Sequence, residues 1–410
     1  MRLLIGSLSV LILLAACQAA APPAEGTDAA ATPPASPEPA EPVLPAGDPP
    51  ADPLTDADPR PPELRIMTAG WQTDWSQRTI NLREVISGGP PRDGIPSIDE
   101  PVFVSLEEAD ALYDVREPVM ALELEGEARA YPLQILIWHE IVNDVIADVP
   151  VAVTFCPLCN SALVFDSRVN GEVYQFGVSG LLRNSDLIMY DRTTESLWQQ
   201  ATGEGIVGVH AGDQLTVLPA SIISYADFRA AYPQGLVLSP QTGHSRSYGL
   251  NPYTGYDSTA IPFLFNSAEL DQRFPAMLRV VGFVSGDQAI AYRYDLLAEL
   301  GVIHDTFNGE DLVIFHQPGT ASALDSRQIS EGRDVGATAV FNPNLDGQRL
   351  VFSVQDGLIL DEQTGSQWNI AGQAVAGELD GAQLERLVSV DHFWFAWAAF
   401  YPDTRVWSPE

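Results

Sequence analysis

Two cysteines stand two residues apart in Phe155-Cys156-Pro157-Leu158-Cys159-Asn160, at the end of an apolar, β-branched run, Val149–Phe155, that reads as a buried strand. Such a pair supports more than one chemistry. Thiol–disulfide exchange of the thioredoxin type needs the pair at a helix N-terminus, where the dipole lowers the nucleophile's pKa. Here the residues that follow, Ser161–Phe165, have strand character. A proline within the pair and Asn160 after it, a residue tolerant of the left-handed region, describe a metal-binding knuckle in which two thiolates converge. One knuckle leaves a site incomplete. His139 is the expected third ligand, because it shares a stripe with Ile135, Val142 and Ile146 on a helix expected over Pro132–Asp144. Met189 is a soft fourth candidate, and copper or zinc is the cofactor this set implies. The competing reading of His139 is a buried histidine hydrogen-bonded to a carbonyl, with Glu140 and Asp144 near enough to orient it.

Two other chemistries use the same residues. Cys156 with His139 as its base is a nucleophile for a transferase or hydrolase. A Cys156–Cys159 disulfide would instead stiffen a turn in a non-catalytic binding or scaffold module.

The elements that must position these residues occur in what reads as a duplication of residues 101–240 as 275–408. Asp191-x-x-Thr194-x-Ser196-x-Trp198 recurs as Asp361-x-x-Thr364-x-Ser366-x-Trp368, and Gly203, Gly208, Gly212 and Leu215 recur at the same spacing as Gly372, Gly377, Gly381 and Leu384. Ala130-Tyr131, Gly171 and Phe176 match Ala291-Tyr292, Gly347 and Phe352, and the pairs Tyr232-Pro233 and Tyr401-Pro402 close the copies. Positions shared by the copies describe a fold; positions unique to one describe a function. Only the first copy has cysteines, and the matching place in the second is read as Phe315-His316-Gln317-Pro318-Gly319. The first copy is also six residues longer between Phe176 and Asp191 than the second is between Phe352 and Asp361. The excess falls in the glycine-rich stretch 177–185, read as a functional loop with Ser179, Arg183, Asn184 and Ser185 as candidate substrate or anion contacts.

Each copy reads as an α+β unit: a mostly antiparallel sheet with one or two short helices. Expected hairpins lie around Glu125-Gly126-Glu127 and, joining Ala162–Phe165 to Glu172–Phe176, around Asn170-Gly171. Strands are expected at Asp186–Tyr190 and Gly205–Val209, with a helix at Tyr225–Ala231. The second copy gives strands Arg279–Val284, Ala289–Tyr292 and Leu312–Phe315, a helix Asp295–Leu300 and a hairpin Arg349–Phe352. Residues 63–240 form the first unit and 275–410 the second. The stretch 241–274 is an ordered connection, since a floppy linker would not carry Tyr248, Tyr253 and Tyr256.

Arg2 and the apolar run Leu3–Ala16 read as an export signal, too short for a confident membrane span, ending in the lipobox-like Leu14-Ala15-Ala16-Cys17. Lipid on Cys17 would anchor the mature chain to the cell membrane or outer membrane, outside the cytoplasm. Residues 18–62 hold fourteen of the 32 prolines, eight acids and no aromatic residue. They read as an extended stalk spanning roughly 140 Å at about 3 Å per residue. The net charge of −34 and the absence of lysine make nucleic acid and anionic lipid headgroups poor partners, and a small molecule, a metal or another protein is the expected partner.

With Gly88-Gly89-Pro90-Pro91-x-Asp93-Gly94-Ile95-Pro96, Trp138-His139-Glu140 and Asp391–Pro402, these motifs resemble the bacterial and archaeal family called domain of unknown function 3179, over roughly residues 75–408. The resemblance implies an exported protein, often lipid-anchored, of unassigned activity.

Overall fold

A computed structural model describes residues 58–409. Cys17 and the stalk as far as residue 57 lie outside them. Order begins before residue 63: the Arg60 guanidinium pairs with Asp58 at 2.6 Å and donates to Thr68 Oγ1 at 2.9 Å, ahead of the helix Pro62–Met67. Strand dominates the described residues, in several antiparallel sheets with six α-helices of four to seven residues. None of those helices is long and apolar enough to cross a membrane.

The strands Pro118–Leu124 and Glu127–Pro132 form a hairpin across Glu125 and Gly126, both at positive φ as a two-residue turn requires. The helix Leu133–His139 follows, and it is shorter than the expected Pro132–Asp144. Glu140 adopts φ 59° and stops it, and Ile141–Ile146 forms a strand paired antiparallel with Val149–Cys156. The physical reason is tertiary. The buried strand Val149–Cys156 needs a hydrogen-bonding neighbour on each side, and β-branched Ile141, Val142, Val145 and Ile146 suit that ladder better than a helix. Its other neighbour is Ser161–Asp166. The turn at Asn170-Gly171 joins only Arg168–Val169 to Glu172–Val173, so the expected partnership of Ala162–Phe165 with Glu172–Phe176 does not form.

From Arg279 onward comes a hairpin, Arg279–Ser285 with Gln288–Arg293, then the helix Tyr294–Leu300, the paired strands Val302–Phe307 and Glu310–Gln317, and Ala337–Phe341. Ser389–Phe393 pairs on one edge with Arg279–Ser285 and meets Ser161–Asp166 on the other through the bridge Asp391↔Ala162. That bridge joins strands from both halves into one eight-stranded sheet. The largest apolar core likewise takes residues from both halves, among them Phe155, Trp198, Phe315 and Trp397.

The Asp-x-x-Thr-x-Ser-x-Trp segments are turns built around a buried carboxylate. Asp191 accepts from the Thr194 and Ser196 backbone N–H groups at 2.6 and 3.1 Å and from Trp198 Nε1 at 3.2 Å. Asp361 accepts from Thr364, Ser366 and Trp368 Nε1 at 2.6, 3.1 and 3.0 Å. A buried anion is tolerable only when its lone pairs are met, and here they are.

Candidate functional site

The knuckle is the loop of a hairpin. Cys156 faces Ser161 on the last rung between Val149–Cys156 and Ser161–Asp166, and Pro157 to Asn160 make the turn with Asn160 at φ 50°. Second-half residues clamp it. Arg279 Nη1 donates to Asn160 Oδ1 at 2.8 Å, and its Nη2 donates to Ser322 Oγ at 2.8 Å beside the buried Asp257 carboxylate, 3.2 Å away. The Phe393 N–H donates to the Cys159 carbonyl at 2.8 Å, and Tyr256 Oη to the Leu158 carbonyl at 3.0 Å. Both thiols are free and buried.

Stretch 177–185 is not a loop. Phe176–Arg183 is a strand paired with Asp186–Asp191, bulged by two residues at Ser179 and Gly180. The corresponding second-half hairpin, Phe352–Gln355 with Leu358–Asp361, has four rungs, and this one has six. Two extra rungs and a two-residue bulge account for the six additional residues, and the extension carries the tip to the thiols. Asn184 and Ser185 turn the tip at φ 53° and 65°. The Ser185 carbonyl accepts from Cys159 Sγ at 3.5 Å and, more weakly, from Cys156 Sγ at 3.9 Å. Asp186 follows at once, its Oδ2 accepting from Gln199 Nε2 at 2.6 Å and the Ala201 N–H at 2.9 Å. One ligand atom each from Cys156, Cys159 and Asp186 lie within 4.8 Å of one another, all buried.

Burial sets the electrostatics of this group. It pushes Asp186 up to about 6 against the pull of Gln199, Ala201 and both thiols. It raises Cys156, with the charges of Asp186 and Glu140 adding to the rise, and it raises Cys159 well above an ordinary thiol. Glu140, opposite Phe155 in the ladder, is pushed up to about 8 by burial and by Asp186.

His139 is not part of this group. Its Nδ1 lies 2.7 Å from the Pro96 carbonyl, which can only accept, so Nδ1 carries the proton and Nε2 accepts from Tyr248 Oη at 2.7 Å. Burial lowers the ring to about 4, so it is neutral with both nitrogens engaged. The structure corrects its assignment as ligand or base, and the carbonyl-bound alternative describes it. Met189 is buried on the strand that Asp186 opens, paired with Trp198 across the ladder, in the same apolar core as the two cysteines. Among the loop candidates, Ser179 secures the bulge by donating to the Ile188 carbonyl and accepting from the Leu181 N–H. Arg183 pairs with Glu84 at 2.7 Å, Asn184 shapes the tip, and only Ser185 touches the thiols, through its carbonyl.

Asp186 is the residue of this group that the sequence reading left out. The signal for Asp186 was the apolar pattern of Phe176–Leu182, which continues a strand through the supposed loop.

Residues 92–404 match the family model described as "Protein of unknown function (DUF3179)", and the chain belongs to that family. No curated protein and no solved structure matches it.

Proposed function

We propose that this chain is an exported, lipid-tethered protein whose body holds a metal ion on Cys156, Cys159 and Asp186, with zinc as the metal. The convergence of those three ligand atoms within 4.8 Å in a buried setting carries the reading. Each group is held toward its protonated form by burial, and a divalent cation is the partner that would let all three ionise together. Two thiolates with a carboxylate suit zinc. Copper(I) would want a softer ligand in place of the carboxylate. Three protein ligands leave one position open, and zinc bound there would supply Lewis acidity. A nucleophilic Cys156 is less well supported, because its thiol is raised and His139 is engaged elsewhere.

We also propose that the two halves are diverged copies of one unit. The agreement in element order from Pro118–Leu124 and from Arg279–Ser285 supports this, as do the matching Asp191 and Asp361 turns. Their register pairs Cys156 with Gln317 and not Phe315, because Thr154 lies opposite Ile141 as Phe315 lies opposite Val302.

Elemental analysis of the purified full-length chain tests the metal reading. Close to one zinc per chain is expected, lost in Cys156→Ser and Asp186→Ala. A metal-free native chain, or zinc that survives both substitutions, contradicts it.

A further inference from the structure

We propose that a cavity of about 410 Å³ between the two halves is a binding site for an uncharged, mainly apolar small molecule. The inference goes beyond the metal reading and does not depend on it.

The cavity lies against one face of the sheet that joins the halves. The bridge Asp391↔Ala162 sets Val390 opposite Leu163, and on its other side Val390 pairs with Gly282. All three line the cavity, together with Val217, Val284 and Tyr401. None of its lining residues is charged, in a chain whose net charge is −34. Val284 and Val388 are exposed there, so apolar surface is left open to water. Ala201 is also part of the lining, and its N–H donates to Asp186 Oδ2 at 2.9 Å. An occupant would therefore lie beside the Cys156–Cys159–Asp186 group.

The chain builds the same frame a second time, and there the space is filled. Ser221 pairs with Ala121 and Ala121 with Ala130, as Val390 pairs with Gly282 and Gly282 with Ala291. Arg386 bridges Phe341 as Val217 pairs with Phe165. Gly203, Leu215 and Tyr232 keep the spacing of Gly372, Leu384 and Tyr401, which sets Val217 against Arg386 and Ser221 against Val390. The Arg386 guanidinium lies over the Phe341 ring, 5.2 Å from its centre, and donates to Ser221 Oγ. Its side chain thus takes up the room that stays empty beside Val390. Valine at both places, where the other junction has arginine and serine, turns a filled polar junction into an open apolar one. Apolar surface left in water forfeits about 25 cal/mol per Å² of stabilisation. The filled junction shows that this loss is avoidable in the same frame, and a ligand that covers the surface recovers it.

Two fluorescent probes on one skeleton test the proposal with the full-length chain: uncharged N-phenylnaphthylamine, and anilinonaphthalenesulfonate, which adds a sulfonate. The uncharged probe should bind saturably at about one per chain, and the sulfonate at least tenfold more weakly, because burying its charge is costly. Val217→Arg, which supplies the plug of the other junction, should weaken the uncharged probe at least tenfold. Val388→Trp, at an exposed position of the lining, should weaken it likewise and keeps the test open where Val217→Arg does not fold. A native chain without saturable binding overturns the proposal, as does equal affinity in the native chain and the folded variants. A sulfonate bound as tightly as the uncharged probe overturns the assigned class of ligand.

Discussion

The end of the Val149–Cys156 strand and the end of the Glu310–Gln317 strand are built on the same hydrogen-bonded frame and differ in everything chemical. The first ends in a four-residue knuckle with two thiols, faces a six-rung hairpin whose tip delivers Asp186, and lies beside a helix stopped by Glu140. The second ends in Gln317 and a long connection to Ala337, faces a four-rung hairpin, and lies beside a helix stopped by Gly301. The knuckle and the longer hairpin bring two thiols and a carboxyl to one buried spot. The second half instead supplies support, through Arg279 on Asn160 and the Phe393 N–H on Cys159.

If the shared parts are structural, breaking them in either half should hurt alike. Asp191→Ala and Asp361→Ala each remove the acceptor of several buried donors, and each is expected to cost about 3–5 kcal/mol in denaturant melts. A large loss in one half and none in the other would break the comparison.

The sequence showed these shared parts because their residue types cannot be exchanged. An aspartate accepting from Trp198 or Trp368, and a glycine where a Cβ would press on Ser196 or Ser366, recur in recognisable spacing. The knuckle was legible for a similar reason, since Asn160 tolerates its φ of 50°. The rest of the centre depended on tertiary facts. Glutamate is a good helix former, so nothing local marks Glu140 as a helix stop, and the β-branched residues after it fit either period. Misreading that stop put His139 in mid-helix and pointed it at the cysteines. Asp186 reaches the thiols only because the hairpin is two rungs longer, and a length difference alone does not distinguish a longer hairpin from a loop.

The next largest effect concerns pH, away from the centre. Glu117 is buried and pushed from its ordinary 4.5 up to about 8 by that burial, even though it accepts from the Gln134 N–H. A carboxyl raised on folding gives its full contribution below pH 4.5 and loses it as pH rises through 8, so native stability should fall across that window. Glu117→Gln should flatten the fall by about 2–4 kcal/mol at pH 8 and leave stability near pH 4 unchanged. An unchanged pH slope in the variant would show that the carboxyl is not the cause.

Gly301→Ala sharpens the contrast at the two helix ends. The added Cβ meets Val354 in a left-handed backbone, and an expected loss of about 2 kcal/mol in thermal melts checks it. A neutral result would mean that the second half does not need its glycine. Smallest of all is the effect of His139→Gln on metal content. With both ring nitrogens held by Pro96 and Tyr248, zinc per chain should stay unchanged by elemental analysis, whatever the variant does to stability.

The most direct measurement of the central claim is zinc K-edge X-ray absorption on the zinc-loaded chain. The expected result is two sulfur neighbours at about 2.3 Å with the remaining ligands oxygen at about 2.0–2.2 Å, and loss of one oxygen-type ligand in Asp186→Ala. A shell without sulfur, or one that shows histidine imidazole in place of oxygen, would contradict a centre made by Cys156, Cys159 and Asp186.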